Sequence, residues 1–295
     1  MRKPIFEGSA AALITPFDTT GELDLVTLGA LIDWHLEQGT DALVVCATTG
    51  ECATLGDREW ETVVDYALGR VNGKIPVIAG IGKNDTRHTL WLNKRARNLG
   101  AQGVLAVTPY YNKTTQTGLL RHYYTVADGA DIPMLLYNVP SRTGMSISAE
   151  TYSALAKHPN ICGVKEASGD FGLILKLKFA CPEDFALYSG NDDQIVPILA
   201  MGGVGVISTM ANVIPQETHQ ICALWKAGET TAAAALQIRC QPLIQALFRE
   251  VNPIPVKSAL AMMGRDSGYL RQPLTEIGVA AREELREAMN LLNLL

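Results

Sequence analysis

Eight short apolar runs, each trailed by a longer amphipathic segment, constrain this chain more than any other feature. The runs are Ala10–Ile14, Ala42–Val45, Val77–Ala79, Val104–Val107, Met134–Tyr137, Cys162–Lys165, Ala186–Ser189 and Val204–Ser208. Apolar residues on consecutive rather than alternate positions fit strands covered on both faces, the habit of parallel sheets. The intervening segments have helical spacing, as in Leu25–Glu37, Asp57–Val71 and Thr86–Leu99, the last of which stops at Gly100. Eight strand-then-helix units predict an α/β fold, a (β/α)8 TIM barrel. A doubly wound open sheet is the competitor, but its glycine fingerprint is missing: Asp85 stands where a third glycine should follow Gly80 and Gly82.

From about Gln216 the strand signal stops, and Thr218–Ala227, Thr230–Arg249, Val256–Met263 and Gly278–Leu292 read as helices. The expected organisation is a barrel over residues 1–215 and a C-terminal helical extension over 216–295. No proline- or glycine-rich linker divides them, so the extension is expected to pack on the barrel. Gly202-Gly203-Val204-Gly205 resembles a phosphate loop, but it precedes a strand instead of opening a helix and reads as a tight turn into the eighth strand.

Composition removes several function classes. Hydrophobic residues at 47% and charged residues at 19% fit a globular core and not a disordered chain. A net charge of −5 without a long basic run argues against a nucleic-acid partner. Cys46, Cys52, Cys162, Cys181, Cys222 and Cys240 form no Cys-x-x-Cys pair, and His35, His88, His122, His158 and His219 form no His-x-x-x-His pair, so no metal site is expected. Cys46 and Cys52, which flank the threonine-rich loop, have no histidine nearby in sequence and read as packing thiols. No stretch is long enough to span a bilayer, and Glu7-Gly8 interrupts a signal-like start. A cytoplasmic protein with reduced thiols is the expectation.

In a TIM barrel the reacting groups gather at the carboxyl ends of the strands. The predicted ends carry Thr15-Pro16-Phe17, Thr48-Thr49-Gly50-Glu51, Thr108-Pro109-Tyr110-Tyr111-Asn112, Tyr137, Lys165 and Ser189-Gly190-Asn191. A lysine ending a buried strand commonly covers the core with its stem while its charge reaches water. If it stays buried, desolvation lowers the amine's pKa and frees its lone pair for attack on a carbonyl. Imine formation needs several proton transfers, which neighbouring tyrosine and threonine hydroxyls can supply. Gly50 and Gly190 would let backbone N–H groups approach a carboxylate.

Three segments, Thr108-Pro109-Tyr110-Tyr111-Asn112, Tyr137-Asn138-Val139-Pro140-Ser141-Arg142-Thr143-Gly144 and Asn252-Pro253-Ile254-Pro255-Val256-Lys257, join the Thr-Thr-Gly-Glu loop and Lys165 in order. In this order and spacing the chain, from Gly8-Ser9 to Gly278, resembles the dihydrodipicolinate synthase branch of the pyruvate-dependent class I aldolase family, which includes N-acetylneuraminate lyase. The resemblance implies that Lys165 condenses with pyruvate and that the enamine attacks L-aspartate 4-semialdehyde, on the route to diaminopimelate and lysine. Tyr137 would be the general acid and base, and Thr48 would link it to Tyr111, which would cross a tight dimer interface. Thr49 would hold the pyruvate carboxylate, Gly190 and Ile207 would supply carbonyls, and Arg142 would grip the aldehyde's carboxylate with two planar N–H donors. No metal or organic cofactor is implied; the partners are the two substrates and further copies of the chain, in a tight dimer or a dimer-of-dimers tetramer.

The same resemblance places an allosteric lysine pocket at Cys52, Ala53, Asp57, Trp60, Asn84, His88 and Tyr110. A lysine-sensitive relative would carry glutamate where His88 stands and often histidine where Trp60 stands, so weak or absent inhibition is expected. Two rival readings remain at this point. One is a related aldolase acting on a sugar-acid aldehyde, against which Arg142 argues. The other is a silent barrel that senses a small acid, which has no need of Lys165, Tyr137, Thr48, Thr49 and Tyr111 together.

Overall fold

A computed structural model describes residues 2–295. Its eight strands are β1 (Gly8–Ala12), β2 (Ala42–Val45), β3 (Val77–Gly80), β4 (Gly103–Val107), β5 (Met134–Asn138), β6 (Ile161–Glu166), β7 (Ala186–Ser189) and β8 (Gly205–Ser208). They form a closed barrel in chain order, every pair parallel, and β8 returns to β1 through Gly8↔Gly205 and Ala11↔Ser208. The fold is the TIM barrel that the alternating pattern predicts.

Alternation along the strands separates two apolar layers. Ala10, Ala12, Val44, Ile78, Leu105, Leu135, Tyr188 and Ile207 fill the barrel's interior. Ala11, Leu43, Val45, Ala79, Val104, Leu136, Leu187 and Val206 face outward, onto helix residues such as Ile32, Val64, Leu92 and Tyr123. Both faces are therefore dry, which is why the strands read as continuous apolar runs.

Two sequence expectations need correcting. The first strand ends at Ala12, not Ile14, because the side chain of Asn212 takes over the ladder: it accepts from the Ile14 N–H at 3.0 Å and donates to the Ala12 carbonyl at 2.9 Å. The stretch expected as one helix, Thr230–Arg249, is two helices, Thr230–Arg239 and Gln241–Leu247. Pro242 supplies the break, since it has no N–H to continue the ladder and fits the first turn of a new helix. Further helices Pro215–Lys226, Ile254–Met262 and Val279–Leu291 complete the C-terminal region.

Candidate active site

Whether Lys165 points into the barrel is decided by a single irregularity in β6. Met134 pairs with Ile161, but Leu135 pairs with Gly163, so Cys162 is an extra residue in the ladder. A bulge shifts the inside–outside alternation by one and re-aims the side chains beyond it. Cys162 faces the interior, Val164 faces the helices, and Lys165 then returns to the interior opposite inward-facing Tyr137. Gly163 makes the bulge possible, because a Cβ there would run into the Ala186 carbonyl. Apart from that glycine, nothing in the sequence signals the device.

The next residues in register, Asn138 and Glu166, point outward together. Asn138 donates to both Glu166 oxygens at 3.1 Å, Tyr152 donates its hydroxyl at 2.8 Å, and the Ser168 N–H donates at 2.8 Å. The buried carboxylate is thus fully bonded, and it pins the ends of β5 and β6 with Tyr137 and Lys165 side by side.

Lys165 is 5% exposed, with Nζ 4.6 Å from the Tyr137 ring centroid. Burial lowers its pKa to about 8 from an ordinary 10.5; the Asp192 carboxylate opposes the shift and the Arg142 guanidinium adds to it. About a tenth of the amine is then neutral at pH 7, roughly 300 times the fraction of an ordinary lysine. Burial raises the Tyr137 phenol, while Arg142 and the Thr48 hydroxyl pull it back, so at neutral pH it is a proton donor.

Beside this pair lies a cavity of about 280 Å³, whose walls include Thr48, Cys52, Ala53, Tyr110, Arg142 and Asn252. Arg142 donates one Nη2 hydrogen bond to the Asn252 carbonyl at 3.0 Å, which fixes the guanidinium at the rim and leaves other N–H groups for an anion. Thr49 is buried on the opposite side of Asn252, accepting from its Nδ2 at 2.9 Å and meeting the Thr209 hydroxyl at 3.5 Å. Asn252 therefore joins the two residues that sequence assigned to carboxylate binding. In sequence it stands in the Asn-Pro-Ile-Pro-Val-Lys segment, where nothing marks that contact.

Asp192 is a second residue that sequence reasoning missed. It is buried, accepts from the Thr209 and Met210 N–H groups at 3.2 and 2.7 Å, and leaves Oδ1 without a partner. Burial raises its pKa, against the Ser208 hydroxyl, the Met210 N–H and Lys165. A carboxylate just past a strand end was the available signal.

The remaining expected residues fall in several places. Ile207 is buried in β8, in the same interior layer as Tyr137. Gly190 follows β7, but its N–H donates to the Glu166 carbonyl at 2.7 Å, so it is not available to a ligand carboxylate as its sequence position suggested. Tyr111 does not line the cavity with Thr48: it is 91% exposed with φ +66°, a left-handed conformation that bulky residues rarely adopt. Of the expected lysine pocket, Cys52, Ala53 and Tyr110 line the same cavity as Thr48 and Arg142. Trp60 is buried with its indole N–H on the Gly80 carbonyl at 2.8 Å, and His88 pairs with Asp57 at 2.9 Å. The Asn84 carbonyl accepts from Asn112 at 3.0 Å.

Known proteins resemble this chain along nearly its whole length. The model of the dihydrodipicolinate synthetase family matches residues 5–292. The chain is 51% identical over 286 residues to the 4-hydroxy-tetrahydrodipicolinate synthase of Caldicellulosiruptor saccharolyticus, covering 97% of each. Among solved structures it resembles dihydrodipicolinate synthase from Thermotoga maritima, with a TM-score of 0.96 at 43% identity, covering 99% of this chain and 100% of that one. It also resembles the Acinetobacter baumannii enzyme complexed with pyruvate, with a TM-score of 0.96 at 41% identity over 98% and 99% of the chains.

Proposed function

The chain belongs to the dihydrodipicolinate synthetase family, and from that premise we propose that it condenses pyruvate with L-aspartate 4-semialdehyde to 4-hydroxy-tetrahydrodipicolinate. The observation that carries this reading is the inward-turned Lys165, with its depressed pKa, packed on Tyr137.

The neutral Lys165 amine attacks the ketone carbon of pyruvate to give a carbinolamine. Tyr137, protonated at neutral pH, hands its proton to the departing oxygen, which leaves as water and gives the imine. Loss of a proton from the pyruvate methyl gives an enamine, whose carbon attacks the aldehyde. The new alkoxide is protonated, and the amino group of the former semialdehyde adds to the imine carbon, closing the ring and releasing Lys165. One carbon–carbon bond forms, one water leaves, and nothing is oxidised or reduced. The lysine itself is the electron sink, so the reading requires no metal or organic cofactor.

Thr49 holds the pyruvate carboxylate and Thr48 is the hydroxyl next to Tyr137. Arg142, held by Asn252 at the rim of the cavity, takes the carboxylate of the aldehyde. Gly190, just past β7, and Ile207, in β8, supply backbone carbonyls on the Lys165 side of the site. Tyr111 acts in the neighbouring subunit of a tight dimer; a tyrosine held outward in a left-handed conformation supports this, as strain persists where a function requires it. The outer face of helix Phe171–Ala180 shows Phe171, Leu175 and Phe179 one turn apart, and this apolar stripe supports a further contact between dimers. Six free thiols support a cytoplasmic location.

The test is NADPH oxidation in the presence of pyruvate, aspartate semialdehyde and excess dihydrodipicolinate reductase, beside a Lys165→Ala variant. Turnover that disappears in the variant is expected. No turnover from a protein that still forms a reducible imine with pyruvate would discard aspartate semialdehyde as the partner and move the search to sugar-acid aldehydes.

A further inference from the structure

A second lysine is buried in this protein, and the proposed reaction does not use it. Lys257, in helix Ile254–Met262, is fully buried, and its Nζ donates to Glu51 Oε1 at 2.6 Å and to the Tyr269 carbonyl at 2.8 Å. The ammonium also lies 4.3 Å from the centroid of the Phe17 ring. Glu51, equally dry, takes a second hydrogen bond from the Arg271 N–H at 3.1 Å. The Arg271 guanidinium closes the assembly from outside, on Glu59, the Gly21 carbonyl and the Thr54 carbonyl.

Glu51 ends the Thr48-Thr49-Gly50-Glu51 loop in a left-handed conformation, φ +54°, that crowding of Cβ against the backbone carbonyl makes unfavourable. The turn's own bonds are Glu51 N–H to the Thr48 carbonyl at 3.1 Å, Cys52 N–H to Ala47 at 3.3 Å and Thr54 N–H to Glu51 at 3.0 Å, and from the barrel the Thr15 hydroxyl donates to the Gly50 carbonyl at 2.7 Å and Lys83 Nζ to the Cys52 carbonyl at 2.8 Å. The C-terminal region grips it at several points: besides Arg271 on Glu51 and the Thr54 carbonyl, it does so through Asn252 and Lys257. Asn252, just before the helix, bonds Thr49, and Lys257, within it, bonds Glu51. A dehydrated ion pair is a poor source of stability, because apolar residues of the same volume commonly do as well. What such a pair supplies, and apolar packing does not, is a direction and a distance.

We propose that Lys257 is a positioning residue: through Glu51 it fixes the loop that carries Thr48 and Thr49, so the C-terminal extension sets how tightly the barrel binds a 2-oxo acid. The inference rests on the proposed role of Thr49 and extends the site to Lys257, which does not line the cavity.

Lys257→Met alone strands the Glu51 charge and is expected to unfold or weaken the barrel, so the decisive variant is Glu51→Leu/Lys257→Met, which removes both charges together. The half-saturating pyruvate concentration for borohydride-trapped imine is expected to rise about tenfold or more, with the imine still formed at saturation. The amides of Glu51, Cys52 and Thr54 are expected to exchange with deuterium faster than in the parent protein, while those of β4 and β5 do not. Half-saturation within a factor of about two of the parent would overturn the inference. Unchanged exchange in the loop would overturn it too, and that readout stands whether or not pyruvate forms an imine. A parent protein that forms no imine at all would instead refute the proposed reaction.

Discussion

Replacing Lys165 with methionine should make this protein more stable while ending its chemistry. The amine has a pKa of about 8 in the fold against an ordinary 10.5. That shift means the folded state disfavours the charged form by about 3 kcal/mol, at about 1.4 kcal/mol per pKa unit. The sign is set by which state binds the proton more tightly. Below pH 8 both folded and unfolded chains carry the charge, and the full penalty is present. Between the two pKa values only the unfolded chain stays charged, so the penalty fades as pH rises, to about 1 kcal/mol at about pH 10. Methionine has nearly the same length and no charge. Urea unfolding at fixed protomer concentration should show Lys165→Met more stable than the parent at about pH 7, with the gap smaller by about 2–3 kcal/mol at about pH 10. A parent as stable as the variant at neutral pH, or a gap independent of pH, would refute the view that burial depresses this amine.

Tyr137→Phe removes the proton donor beside the imine and should lower kcat by about 10²–10⁴-fold with little change in KM for pyruvate, measured in the coupled assay. Arg142→Lys keeps the charge but loses the planar fork, so KM for aspartate semialdehyde should rise about tenfold or more while pyruvate trapping is unchanged. A variant held monomeric, shown so by sedimentation, should lose most turnover because Tyr111 then faces solvent; full activity in that monomer would contradict its role across the interface. L-Lysine at about 1 mM should leave more than half the activity at neutral pH, since His88 offers no fixed negative charge and Asp57 is already paired with it.

The barrel was legible because its two dry faces leave a simple signature, and β2 and β7 and the first three long helices lie where the apolar runs place them. The limits came from side chains standing in for backbone. Asn212 replaces ladder bonds at the end of β1, and Pro242 divides a helix whose apolar spacing runs on past it. At the site, strand ends and motifs led to Lys165, Tyr137, Thr48 and Arg142. They could not reveal that Lys165 faces inward, because an ungapped β6 gives the opposite face and the bulge is set by pairing with β5. Asn252 and Lys257 escaped for a related reason. Each acts on residues far away in the chain, Asn252 on Thr49 and Lys257 on Glu51, and sequence spacing carries no trace of such pairs.

The central claim is that one amine, Lys165, becomes covalently attached to pyruvate. The protein treated with pyruvate and borohydride, digested and mapped by mass spectrometry, tests it directly. A single pyruvate-dependent adduct is expected on the peptide carrying Lys165, with Lys257, the other buried lysine, unmodified. An adduct on another residue, or none at all, would contradict it.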